Sequence, residues 1–204
     1  MHQHKLLILI LLFGAALRLF ALGEYNPGFF RDESAIAYNA YSIWRSGRDE
    51  FGFSFPIVFR SFEVFFLPLY IYLLAPIVGI FGLNEFNARV LSAISGIFGL
   101  LAIYLITFQI WKQKSIALLS TFLLTISPWH ILYSRGTFEG NLGLTLFSFG
   151  FLFLLKFLEK STVINLSLSI LLFILSMYSY QSERLIVPLL GLLAFILLFK
   201  KIIL

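Results

Sequence analysis

The fold class this sequence predicts is an all-α, polytopic membrane protein, and three observations carry it. Hydrophobic residues make up 60% of the chain and the mean hydropathy is +0.94, more apolar surface than one soluble core of ordinary composition hides. The apolar residues gather into runs near the length that crosses a hydrocarbon layer of about 30 Å as helix. The charged residues, 12% of the total, punctuate those runs instead of forming a continuous basic face, so the net charge of +5 reports topology and speaks against nucleic acid. With no cysteine, disulfides, thiolate-held metals and thiol catalysis are excluded. The whole chain, 1–204, reads as a single membrane domain.

The first run, Leu6 to Leu22, follows Met1-His2-Gln3-His4-Lys5. It has a basic start but no small-x-small cleavage site, which favours an uncleaved first helix over a signal peptide. Arg18, one turn from its far end, is expected to snorkel to the headgroups, and His2 and His4 to lie on a disordered tail. Next comes the only long polar stretch, opening a first outer loop of about 23–87. Within it 34–44 reads as a short interfacial helix, with Ile36, Tyr38, Tyr41, Ile43 and Trp44 on its apolar face and Ser46-Gly47 ending it. Residues 51–56, aromatic but broken by glycine and proline, read as loop on the membrane surface. Apolar segments follow at about 66–83, 90–111, 115–132, 141–157, 163–180 and 185–199.

If every segment crosses in turn with the N-terminus inside, the lysines collect outside, against the positive-inside rule. One change repairs this. If 66–83, with Pro68, Pro76 and Phe81-Gly82, does not cross, every lysine (Lys5, Lys112, Lys114, Lys156, Lys160, Lys200, Lys201) is cytoplasmic. Every arginine (Arg18, Arg31, Arg45, Arg48, Arg60, Arg89, Arg135, Arg184) is then outside, with all acids except Glu159. The expected architecture is therefore about six transmembrane helices plus interfacial or re-entrant helices in the first outer loop. The rival, seven spans with the N-terminus outside, sorts the later loops similarly but puts Asp32-Glu33 in the cytoplasm. In the preferred topology the loops carrying Asp32-Glu33, Arg89, Arg135 with Glu139, and Glu183-Arg184 meet at one outer surface.

These residues carry a resemblance. The acidic pair in Arg31-Asp32-Glu33-Ser34-Ala35 is followed by Leu67-Pro68-Leu69-Tyr70-Ile71-Tyr72. Then Phe81-Gly82-Leu83-Asn84-Glu85-Phe86, with Arg89 behind it, opens a glycine-bearing span. The order and spacing resemble the GT-C membrane glycosyltransferases, and within them the protein O-mannosyltransferase and lipid A aminoarabinose transferase superfamily. Tyr133-Ser134-Arg135 near a carboxylate, and Tyr180-Gln181-Ser182-Glu183-Arg184 with Pro188 beyond, fit the same pattern. The likeness spans nearly the whole chain and corresponds to the N-terminal half or so of a typical member. It implies transfer of a sugar from a polyprenyl-phosphate carrier to a glycan, lipid or protein acceptor at the outer face of the cell membrane. In such enzymes the first-loop acid acts near the acceptor nucleophile, basic residues hold the lipid phosphate, and some members need a divalent cation. One departure is that members often have two prolines, sometimes after a basic residue, where this chain has Phe66-Leu67-Pro68.

The chemistry assigns roles to the candidates. A hydroxyl or phosphate attacking an anomeric carbon needs a base, which an ionised carboxylate within hydrogen-bond reach supplies. Asp32 is the first candidate; the plainer reading is an acid favouring the N-terminus of the following helix. Glu33 is the second, although neighbours on a helix point in different directions. Arg89, Arg135 and Arg184 suit the departing phosphate because a guanidinium grips it bidentately and keeps its proton, against the plainer role of interfacial anchors. Glu139 either pairs with Arg135 or is a further site carboxylate. His2, His4 and His130 form no metal constellation, and Trp44, Trp111 and Trp129 read as interfacial belt residues. The rival from another class is a transporter or flippase-like protein, disfavoured because the charges gather at one face and not within the spans. A non-catalytic fragment or assembly partner is the third reading.

Overall fold

A computed structural model describes residues 2–25, 28–61 and 64–203, with side chains for 4–25, 28–61 and 64–196. Glu63, expected among the outer-loop acids, lies outside the described residues, as do the side chains of Lys200 and Lys201. The chain runs α1 (His2–Leu19), α2 (Arg31–Ser46), β1 (Phe59–Ser61), β2 (Val64–Phe66), α3 (Pro68–Phe81) and α4 (Glu85–Trp111). It continues through α5 (Lys114–Thr125), α6 (Pro128–Ser134), α7 (Glu139–Glu159), α8 (Val163–Ser179) and α9 (Glu183–Ile203).

Local chemistry sets the boundaries. Gly47, with φ +67° and its N–H bonded to Ile43 O, ends α2 where the sequence places the stop. Pro68 opens α3 at a position where its missing N–H costs nothing. Asn84 caps α4 by accepting from Asn87 N–H at 2.9 Å, and Asn87 Nδ2 donates back to Phe81 O and Gly82 O, closing the turn between α3 and α4. The segment expected as one span over 115–132 is broken. Pro128 cannot donate to Leu124 O, and α5 and α6 meet at a bend of 64°. His4 lies in α1, which starts at His2 instead of following a disordered tail. The stretch between α2 and α3 also holds a two-stranded antiparallel hairpin, β1–β2, pairing Phe59 with Phe66 and Ser61 with Val64, which the aromatic, proline-broken sequence did not signal.

Helix α4 is the hub, packed on α1, α5, α6 and α7, while α7 lies along α8 and α2 along α3. Two kinds of interior result. The loop elements pack an apolar core in which Ile36, Ala40, Phe59, Tyr70, Ile71, Leu74 and Val78 are fully buried. The long helices do the reverse: Ser92, Ser95, Thr121, Thr125, Asn141, Ser169 and Ser176 point inward, while Phe98, Ile110, Leu119, Leu123, Leu189, Leu192 and Phe195 are exposed. Asn141 Nδ2 donates to Ser92 O at 2.7 Å and Thr145 Oγ1 to Ser95 O at 2.9 Å, joining α7 to α4 through hydrogen bonds. Small polar residues between helices and large apolar ones outside are the packing a bilayer selects. This is an integral membrane protein.

Among the described residues α4 and α7 are, by length and composition, long and apolar enough to cross, and the bent pair α5–α6 makes a third span if counted as one, so two or three pass there where about six were expected in the chain. Helix α3, with 14 residues, is about 21 Å long at 1.5 Å per residue, short of a hydrocarbon layer.

Candidate active site

The first turn of α2 is fixed by Glu33. Its carboxylate, on a residue 4% exposed, receives Nε of Arg89 on Oε1 and Nη2 on Oε2, both at 3.0 Å. Backbone N–H groups of Thr137 and Phe30 complete the shell at 2.8 and 3.0 Å. One carboxylate thus joins α2, the N-terminal part of α4 and the loop before α7. Burial alone would push its pKa up, but the hydrogen bonds from Arg89, Phe30 and Thr137 outweigh that and hold it below the ordinary value. Arg89, 1% exposed, turns its remaining donors to Leu22 O and Gly28 O. Its guanidinium is therefore engaged within the protein.

Arg135, at the end of α6, reaches back to α1. Its Nη1 donates to Leu17 O at 3.0 Å and Phe20 O at 2.8 Å, and Nη2 to Ala21 O at 3.3 Å, satisfying carbonyls at the C-terminal end of that helix. It is only partly buried. Glu33, Arg89 and Arg135 share the wall of a cavity of about 490 Å³, so two guanidiniums face it with one carboxylate.

Phe138 belongs to that cavity and to a larger neighbour of about 600 Å³. The neighbour has the opposite character. Asp32, Glu139 and Glu183 line it, and no lysine or arginine does. The half-buried Asp32 carboxylate receives no hydrogen bond from the described residues, in contrast to Glu33 one position later. Trp129, Tyr133 and Phe138 form a ladder along the wall, with successive ring centroids 4.9 Å apart, and Tyr180 adds a fourth ring. Aromatic faces beside carboxylates suit a polyhydroxylated ligand, whose C–H faces stack while its hydroxyls donate. A third cavity, of about 370 Å³, shares Glu139, Tyr180 and Ser182 with this one and opens past Val64 and Phe65 of β2.

Behind the wall sits Arg18. The expectation that it snorkels outward is corrected: it is 0% exposed, bonded to Gly14 O at 3.0 Å and to Nδ1 of His130 at 2.6 Å. The reason is the slot left by Gly14 and Gly96 between α1 and α4, which admits the side chain inward. Because a guanidinium only donates, Nδ1 is the acceptor and the ring proton belongs on Nε2. Arg184 lies away from both cavities, exposed, with Nε donating to Met177 O at the end of α8. No group of three or more histidines and acids among the described residues is arranged to hold a metal ion.

A family model described as dolichyl-phosphate-mannose-protein mannosyltransferase matches residues 67–204. The chain belongs to this family. No curated protein matches it significantly. Family membership makes the chain a GT-C-type membrane glycosyltransferase by kind, as the order of its motifs implied. The matched segment holds Arg89, Arg135, Glu139, Glu183 and Arg184, while Asp32 and Glu33 precede it.

Sequence reasoning missed several residues that line these cavities or pack behind them. Glu183, which was given no site role beside Arg184, lines the large cavity. The spacing of Trp129, Tyr133 and Phe138 is the signal that marked a ladder, the first two being four apart on α6. The pairing of Arg18 with His130, 112 positions apart, left no local trace.

Proposed function

We propose that this protein transfers a sugar from a polyprenyl-phosphate-linked donor to an acceptor hydroxyl or phosphate at the outer face of the cell membrane. The observation that carries the reading is the pair of neighbouring cavities of opposite charge, divided by Phe138. The lipid phosphate suits the side of Arg135 and Arg89; the acceptor suits the side of Asp32 and Glu139. In the transfer the acceptor oxygen forms a bond to the anomeric carbon as the bond from that carbon to the phosphate oxygen breaks. The acceptor proton passes to Asp32, and the polyprenyl phosphate leaves with the electron pair. Arg135 is the better candidate for phosphate contact because it is partly open, whereas Arg89 with Glu33 positions the α2 turn that presents Asp32. Glu139, shared by the large and third cavities, stands with Asp32 on the acceptor side. Of the expected substrate-binding set, Arg184 is the member the geometry favours least.

The same reading places α1, α4, α5–α6, α7, α8 and α9 across the bilayer and α2 and α3 along its outer surface. Supporting it, the site lies at one end of α4 and α7, while at the other end Lys112 Nζ bonds Glu159 Oε1 at 3.0 Å. The acceptor, whether glycan, lipid or protein, follows from the family in kind alone.

The test is turnover of radiolabelled polyprenyl-phosphate mannose by the reconstituted protein. Asp32→Asn is expected to abolish transfer, a loss on the order of 10²-fold or more for a general base, with the fold intact. Arg135→Gln is expected to weaken retention of the carrier lipid. Near-normal turnover in Asp32→Asn removes Asp32 from the mechanism.

A further inference from the structure

The loop between α2 and β1 is built as a rigid display of apolar side chains. Asp49 Oδ1 accepts from Phe51 N–H at 3.0 Å and Phe53 N–H at 2.8 Å, and Asp49 N–H donates to Phe53 O at 3.0 Å. Phe55 N–H donates to Gly47 O at 2.9 Å with Phe55 held at φ +42°, a left-handed conformation that a bulky residue adopts only when its surroundings enforce it. Tyr72 Oη donates to Pro56 O at 2.9 Å and its ring meets Phe59 edge-on, so the loop is fastened to α3. The turn therefore ties Asp49, Phe51, Gly52, Phe53 and Phe55 together through their backbone and leaves apolar side chains outside: Phe53 is 66% exposed, Phe55 67% and Ile57 77%. Phe53 and Ile57 rim an open cleft of about 780 Å³ with Phe65 of β2.

Arginines flank these side chains. The Arg60 guanidinium lies 5.8 Å from the Phe51 ring centroid, and Arg48 Nη1 donates to Gly52 O at 3.2 Å. The nearby acids are turned to internal work: Asp49 is buried in its own turn, and Glu50 accepts from Asn39 Nδ2 at 3.0 Å. We propose that the 51–58 loop with Arg48 and Arg60 is a membrane-surface anchor that seats its rings in the interfacial layer and holds anionic phospholipid headgroups. A peptide partner would ask for a run of open backbone groups, and here the N–H groups of Phe51, Phe53 and Phe55 and the carbonyls of Gly52, Phe53 and Pro56 are already paired internally. A bilayer surface asks for aromatic rings and guanidiniums, which it presents.

The chain has no cysteine, so one can be placed without background. Phe53→Cys, labelled with bimane and reconstituted into phosphatidylcholine vesicles with and without phosphatidylglycerol, is read with a spin-labelled lipid and with aqueous iodide; Gln113→Cys is the comparison site. The expected result is strong quenching by the lipid and weak quenching by iodide at 53. The lipid signal should rise with phosphatidylglycerol, and this rise should be lost in Arg48→Gln/Arg60→Gln and at high salt. Quenching by iodide alone places the loop in water, and quenching by neither places it under protein; each overturns the proposal. Lipid quenching that ignores phosphatidylglycerol and both arginines overturns the headgroup assignment.

Discussion

Adjacent acids have opposite fates here, and the difference is one of partners. Glu33 is enclosed by four donors, whereas Asp32 keeps its lone pairs for whatever enters the large cavity. The sequence made the pair conspicuous, and the helical rule that neighbours diverge foretold that only one would face a given site. It did not say which, because that depends on Arg89 and Thr137, 56 and 104 positions away. Glu33→Gln leaves Arg89 buried without its counter-charge and is expected to destabilise the protein by about 3–5 kcal/mol, read as a lowered unfolding midpoint in detergent. The pH dependence has a definite sign. Since Glu33's folded pKa lies below its ordinary 4.5, its contribution is complete above pH 4.5 and is lost as pH falls through the folded value. Wild-type stability should drop on that acidification by more than that of Glu33→Gln, and equal acid sensitivity removes Glu33 from the account.

At the scale of elements, most helices were legible because apolar runs and their breakers mark them directly. Gly47, Pro68 and Asn84 fall where the boundaries do. The hairpin β1–β2 was not, since its strands of three residues are too short for alternation to register. Nor was the bend between α5 and α6, although Pro128 stands at it, because apolar residues on both sides make the run look continuous. How closely two helices approach is set by single positions. A Cβ on Gly150 of α7 would lie 2.9 Å from Phe173 Cδ1 of α8, and Gly150 O accepts from Ser169 Oγ at 2.9 Å. Gly150→Leu should therefore force α7 and α8 apart at a cost of about 1–3 kcal/mol. Gly191→Leu on α9, with nothing within 4 Å, is the matched control and should leave the melting midpoint unchanged.

For the whole molecule, the separation of lysines from arginines along the chain is the feature that carries the expected orientation. The expected orientation gives a direct check. Glu24→Cys and Ser182→Cys should react with an impermeant thiol reagent added outside intact cells, and Gln113→Cys should not; the reverse pattern would put the site in the cytoplasm. The Glu33 shell also bears on how the molecule is made. A ribosome delivers the carboxylate first, its Arg89 partner 56 residues afterwards and the Thr137 amide 104 residues afterwards. The loop that presents Asp32 thus stays unfinished until α6 has left the tunnel. A nascent chain halted before Thr137 would hold the acid only by its first grip, so competence is acquired late in synthesis although the acid itself is among the earliest residues to emerge.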